Sequence, residues 1–440
     1  MSLRKSFPLD EDILHHVFDY LPDFSSLLSV LLVSKSTHAV FDNRPNSITC
    51  AVAENQFGPI LPHALRVIRL EERKHAYCKA HPYELDDLPK EEHSSSEVIT
   101  SSDACRLCKN SRVVAELEGL FSWRYKDRTS NSSCLSNSES FRFRRAVYRY
   151  WAYQIIFGYE LEDRNEDELY VLEEEMESNR HDRASFLCTF PSQEVVEIAK
   201  AVDFLSSTVF WAATAVGQYH TDFVNFIVAC GPRLVLDCYK KHDLPSWDMD
   251  GPDSDFVSDA ITDSFRIRGF PSSWEQTEVA LVDHINGSGD RCDRCHTVKG
   301  LDLWNRTNYS YLKGRIRDFT THFPKYLCYN GWERLTAELH MIDPKFSSAS
   351  MMHDIFEMAE SVGWNEDDWL CFGCVQLLLE ERLMQWWIEQ KRKDGLPFEG
   401  DCWFGYKCRE QMNDEGHARD FNHLCQPTRE QPPAPEGSYV

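Results

Sequence analysis

Residues 7–35 read FPLDEDILHHVFDYLPDFSSLLSVLLVSK. Pro8 suits the start of a helix, and Asp10, Glu11 and Asp12 complement the positive end of its dipole. Ile13, Leu14, Val17, Phe18 and Leu21 then recur at helical spacing. Pro22 stops that helix. Asp23 or Ser25 can cap the next one, in which Leu27, Leu28, Leu31 and Leu32 repeat the spacing. After Val33-Ser34-Lys35 a third short helix is predicted to run toward Phe41. Three short amphipathic helices in fewer than about fifty residues are too small a unit to bury all their apolar surface. This segment therefore needs a partner, either the rest of the chain or another protein.

In order and spacing, Phe7-Pro8, Asp10 to Leu14, Val17-Phe18, Tyr20-Leu21-Pro22, Leu27-Leu28 and Val33-Ser34-Lys35 resemble a fungal-type F-box. The resemblance implies docking onto the Skp adaptor, and through it the cullin, of an SCF-type ubiquitin ligase. It further implies that Pro8, Leu9, Ile13, Leu14, Val17, Leu21, Pro22, Leu28 and Val33 line or support the docking face. An F-box over residues 6–50 is the expectation.

The rest of the chain is much longer. With 440 residues, it has room for two to four domains at roughly 150 residues each. Hydrophobic residues make up 42% and aromatics 12%, enough for packed cores, so wholesale disorder is excluded. Lys and Arg number 47 against 71 Asp and Glu, a net charge of −24. That balance argues against nucleic acid as a main partner, because phosphate neutralisation needs clustered basic residues. No apolar core of signal-peptide type follows Met1. The uncharged run Phe204 to Tyr219 is too short and polar for a membrane span of about 20 residues, and reads as a buried core helix. An intracellular chain, cytoplasmic or nuclear, is the expectation. The sequon Asn305-Arg306-Thr307 then carries no weight, and disulfides are a poor explanation for sixteen cysteines.

Helical patterns dominate the remainder. The Ser-rich stretches Ser94 to Ser102 and Thr129 to Ser140 read as loops. Phe141 to Tyr159 is aromatic and basic, and an acidic run, Glu160 to Glu177, reads as a solvated helix face. Residues 192–240 carry the most apolar helical patterns, residues 245–256 read as a loop, and a long helix is predicted from about Trp369 to Lys393. Trp211, Trp386 and Trp387 read as core. The predicted fold class is mainly α: a three-helix F-box, then a mostly helical region with small zinc-stabilised modules.

Cysteine and histidine spacing supplies those modules. A structural zinc site takes four Cys or His ligands, and a Cys-x-x-Cys turn presents two of them. Cys78, His81, Cys105 and Cys108 make one possible set, stapling residues 51–128. Cys292/Cys295 and Cys371/Cys374 make a second within a helical region at 141–395, provided the 75 residues between the pairs fold back. Cys292 to His296 also spells the haem c attachment pattern, but that chemistry needs an exported protein. Cys402, Cys408, His417 and His423 make the third set at 400–426, with Gly405 permitting the turn between the thiolates and Cys425 as a neighbour or substitute ligand. Phe404, Gly405 and Phe421 strengthen its likeness: the cluster resembles the poly(ADP-ribose)-binding CCHH zinc finger family. A Pro-rich stretch, 427–440, reads as a disordered tail.

No His-Glu-x-x-His, phosphate loop, nucleophile elbow or dinucleotide fingerprint occurs, and four-ligand zinc sets leave no open position for catalysis. The sequence thus predicts a non-catalytic F-box substrate receptor with structural zinc and an unidentified protein target. Its alternative is a zinc-finger module for nucleic acid or poly(ADP-ribose).

Overall fold

The computed structural model describes residues 10–76, 88–89, 91, 98–130, 132–158, 180–215, 221–241, 257–269, 281–314, 347–359, 363–393, 400–412, 414–423 and 425–430. These residues are mainly helical, as expected, and gather around three hydrophobic cores.

The first core belongs to the N-terminal segment. Helices α1 (Glu11–Asp19), α2 (Phe24–Leu31) and α3 (Lys35–Asn43) are the three predicted ones. Asp23 caps α2, accepting the Ser26 amide at 2.7 Å, and Ser34 with Thr37 forms a capping box at the start of α3. A fourth helix, α4 (Pro45–Phe57), completes the unit: its Ile48 and Val52 pack against Leu14, Phe18, Leu21, Leu27 and Val40. The expected boundary at residue 50 falls inside this helix. Ala53 and Phe57, further along it, belong to the second core. Asn55 donates to the carbonyls of Asp19 and Leu21, and Gln56 accepts the Phe24 amide. One continuous helix therefore joins the N-terminal unit to the body without a linker.

The second core is formed by α5 (Leu61–Ala76), α6 (Ser101–Tyr125), α7 (Asn137–Phe157), α8 (Arg180–Leu187), α9 (Ser192–Ala215), α10 (Thr221–Ala229), α11 (Pro232–Lys241) and α12 (Ser258–Ile267). Helix α7 is central and packs on α5, α6 and α9. The loop expected over 129–140 ends early, because Ser136 and Glu139 form a capping box that starts α7 at Asn137. The basic residues of α7 face carboxylates. Arg142 pairs with Asp283, Arg144 with Glu118, Arg145 with Glu194 and Glu197, and Arg149 with Glu91 and Glu194. They stitch helices together and do not form a free basic face.

The third core contains the only strands among the described residues. β1 (Leu303–Trp304) pairs antiparallel with β2 (Leu370–Cys371), with Leu303 opposite Cys371. Helix α13 (Ser348–Ala359) packs on α14 (Phe372–Lys393). The long helix predicted from about Trp369 begins at Phe372, because Leu370 and Cys371 are held in β2. Trp386 and Trp387 are buried here, and half-buried Trp211 of α9 packs against this core. Trp123 of α6 also enters this core, with its ring 4.0 Å from that of Tyr311 and 5.5 Å from that of Trp211.

A buried ion pair fastens the third region to the second. Lys126 Nζ donates to Glu139 Oε1 at 2.9 Å, and both side chains are buried. The amides of Ser136 and Asp283 also donate to Glu139, at 2.7 Å each, and the Asn286 amide donates to the Lys126 carbonyl. Burial alone would raise the Glu139 carboxyl. The Lys126 hydrogen bond and the two amides outweigh it and hold the group at about 2.

Among the described residues no helix is long and apolar enough to cross a membrane. The acidic run 160–177, the loop at 245–256 and residues 431–440 lie outside the described residues. Thr428 and Arg429, expected as tail, fold back so that both amides donate to the Trp403 carbonyl.

Candidate functional site

The N-terminal unit leaves many of its apolar side chains uncovered. Pro8 and Leu9 lie outside the described residues. Leu14 and Leu21 are buried in the unit's own core, so they can support a docking face but not line it. Ile13, Val17, Leu28 and Val33 are exposed, as is Pro22. Two further apolar side chains are even more exposed: Tyr20 at 81% and Leu32 at 78%. Helical spacing could have found Tyr20, because Ile13, Val17 and Tyr20 fall on one stripe of α1. Leu28 and Leu32 are likewise four residues apart, so the same spacing marks Leu32. Isolated exposed apolar residues are ordinary, but six within residues 13–33 make a candidate interaction surface.

Two clusters elsewhere have the donor chemistry of metal centres, each bringing four ligand atoms within 4.8 Å of one another. The first joins Cys292, Cys295, Cys371 and Cys374. Residues 291–298 form a tight knuckle: Arg291 bridges Val298, and exposed His296 takes a left-handed backbone (φ 58°) just after Cys295. His296 is thus a turn residue and not a ligand. Cys371 sits on β2 and Cys374 in the first turn of α14. The strand pair is what folds the chain back between the two cysteine pairs. Cys292 Sγ lies 3.7 Å from Cys374 Sγ, and Cys295 Sγ lies 3.6 Å from Cys371 Sγ. Four sulfurs placed tetrahedrally at about 2.3 Å from zinc would lie about 3.8 Å apart, so the set fits. Cys292 is fully buried, and its sulfur accepts the amides of Cys295 and Cys371. Hydrogen bonds from Thr297 bring the Cys295 thiol down to about 6, toward the thiolate that a metal takes. Outside the ligands, Asp293 clamps the knuckle: its amide donates to the Trp369 carbonyl, and its carboxylate accepts the Trp369 amide. Arg294 lies 3.5 Å over the Trp364 ring.

The second cluster joins Cys402, Cys408, His417 and His423. Gly405, at φ 47°, closes the turn between the thiolates, and a Cβ there would fall 2.1 Å from the Cys425 carbonyl oxygen. Asp414 caps α15 (Glu415–Asp420), which presents His417. Its Nε2 lies 3.6 Å from Cys402 Sγ and 3.4 Å from Cys408 Sγ, against about 3.5 Å for a tetrahedral zinc with one nitrogen and one sulfur ligand. His423 is buried, and its Nε2 has no hydrogen-bond partner. A buried orphaned nitrogen is costly unless something coordinates it, and a metal in this set would do so. Burial, aided by His417, pushes His423 down to about 4 and keeps its imidazole neutral. Cys425 stands outside the set: its thiol donates to the carbonyls of Cys402 and Asn422. Tyr406 packs this small unit against the third core. Residues 400–430 carry six acidic side chains against four basic ones, a poor complement to a polyanion.

For the remaining predicted set, Cys78 and His81 lie outside the described residues. Cys105 and Cys108 sit within α6 and not on a turn, and Cys108 is 4.0 Å from Gln56 Nε2.

Residues 8–49 match the F-box domain family. No curated protein and no solved structure matches the chain.

Proposed function

We propose that the chain is a substrate receptor that recruits proteins to a ubiquitin ligase, a reading supported by the F-box match at residues 8–49. In this reading the N-terminal helices dock the Skp adaptor, and through it the cullin, of an SCF-type ligase in the cytoplasm or nucleus. The helical, metal-stapled body holds a protein target. The observation that carries it is the set of exposed apolar side chains Ile13, Val17, Tyr20, Leu28, Leu32 and Val33 inside the matched residues. The role is non-catalytic: the chain presents a target and leaves ubiquitin transfer to its partners. Because α4 runs unbroken from the F-box core into the body core, target and adaptor would be held in fixed relation.

The two metal clusters are read as structural zinc sites. Zinc would neutralise the clustered thiolates and, with all four positions taken by side chains, supply folding energy and no open site.

The test is capture by purified Skp adaptor of wild type, Leu28→Asp and Leu14→Asp. Leu28→Asp should lose at least about tenfold in affinity with an unchanged melting temperature, because its side chain faces solvent. Leu14→Asp should lose binding by unfolding the unit. Absence of wild-type capture refutes the reading. Elemental analysis should find two zinc ions for the two described clusters.

A further inference from the structure

Seven of the eight ligands in the two clusters are buried or half-buried; only Cys295 is exposed. It stands at the surface end of a site whose other three sulfurs are buried. We propose that Cys295 is an oxidation site, and that hydrogen peroxide converts it to a disulfide with Cys371 and so discharges the four-Cys metal. The metal part rests on the zinc reading above; the disulfide does not.

Access singles out the first sulfur, and a 3.6 Å sulfur–sulfur contact points to Cys371 as the second. The Cys295 thiolate attacks one peroxide oxygen; the O–O bond breaks, hydroxide leaves, and Cys295 becomes a sulfenic acid. The Cys371 thiolate, 3.6 Å away, then attacks that sulfur. The S–O bond breaks, a second hydroxide leaves, and the S–S bond forms. Two thiolates have then lost two electrons to one peroxide, and two protons convert the hydroxides to two waters. Cys292 is the poorer second sulfur. It is fully buried, it accepts two backbone amides, and it lies beside Cys374. The clamps of Asp293 on Trp369 and of Arg294 on Trp364 hold the knuckle against the opposing pair, so the two sulfurs can close without unfolding.

With two of four donors joined, zinc has no complete site and leaves. Cys402 and Cys408 are both buried, so the CCHH cluster serves as an internal control.

The experiment exposes the full-length chain to hydrogen peroxide, follows zinc with a chromophoric chelator, and maps disulfides by mass spectrometry. One of two zinc equivalents should leave at least about tenfold faster than the other, together with a 295–371 disulfide. Cys295→His keeps a four-ligand zinc set but no oxidisable sulfur there, and should reduce the fast release to the rate of the slow one. Should that variant fail to take up zinc, the disulfide map of wild type decides alone. A preparation that binds no zinc refutes the metal reading, and the same map still scores the disulfide. The proposal is overturned if Cys295 and Cys371 stay reduced, if Cys295 pairs with another sulfur, or if Cys295→His releases zinc as fast as wild type.

Discussion

The two clusters use the same chemistry on unlike supports. The four-Cys cluster joins positions 82 residues apart and sits inside a core that includes Trp304, Met352, Leu378 and Leu379. The CCHH cluster spans only residues 402–423, and Tyr406 is its contact with that core. Closing a loop of 82 residues rather than the 21 from Cys402 to His423 removes about 1.2 kcal/mol more chain entropy. The larger module can nevertheless keep some structure without its metal, because apolar burial supports it independently. The smaller unit has almost no core of its own, so a metal held there would carry nearly all its folding energy. Removing either metal should therefore have consequences that differ in extent as well as in size.

The largest effect is expected for Cys292→Ser. This sulfur is fully buried and holds two backbone amides, so the change should abolish one zinc equivalent and lower the melting temperature by many degrees. A melting temperature within a degree of wild type would show that the apolar core alone sustains the module.

Glu139→Gln should come next. It leaves Lys126 buried without its counter-charge and loosens the segment leading into the four-Cys knuckle. Breaking a buried pair costs about 3–5 kcal/mol, to be read by urea unfolding. The same residue sets an acid limit. Its folded value of about 2 lies below its ordinary 4.5, so its contribution is complete above about pH 4.5 and is lost as pH falls toward 2. In the variant that segment of the stability–pH curve should flatten.

His423→Gln should remove the second zinc equivalent and leave the cooperative melt of the body unchanged. If the whole chain melts earlier, the two supports are less independent than their cores indicate. The smallest change is expected from Gly405→Ala. The added carbon meets the Cys425 carbonyl in a left-handed turn, which should weaken zinc retention by the finger about tenfold in chelator competition.

Local chemistry made much of this readable from the sequence. Proline stops, an Asp cap and leucine spacing mark α1 to α3, and cysteine and histidine spacing marks both clusters together with a third set whose Cys78 and His81 lie outside the described residues. The limits were equally physical. α4 is not legible as one helix because its residues serve two different cores, which blurs the apolar periodicity. The start of α7 lay hidden in a Ser-rich stretch, where only the reciprocal Ser136–Glu139 bonds separate a cap from a loop. Leu14 and Leu28 look alike as leucines at helical spacing, yet one is 4% exposed and the other 58%.

By itself, then, the sequence determined the helical class, the F-box-like segment and which side chains could bind metal, since these depend on neighbours a few residues apart. Tertiary structure decided which cysteine pairs meet, through the β1–β2 pairing across the chain. It also decided which leucines face solvent and that only one ligand sulfur lies open to it. Those outcomes depend on contacts between residues tens of positions apart, and spacing along the chain does not encode them locally.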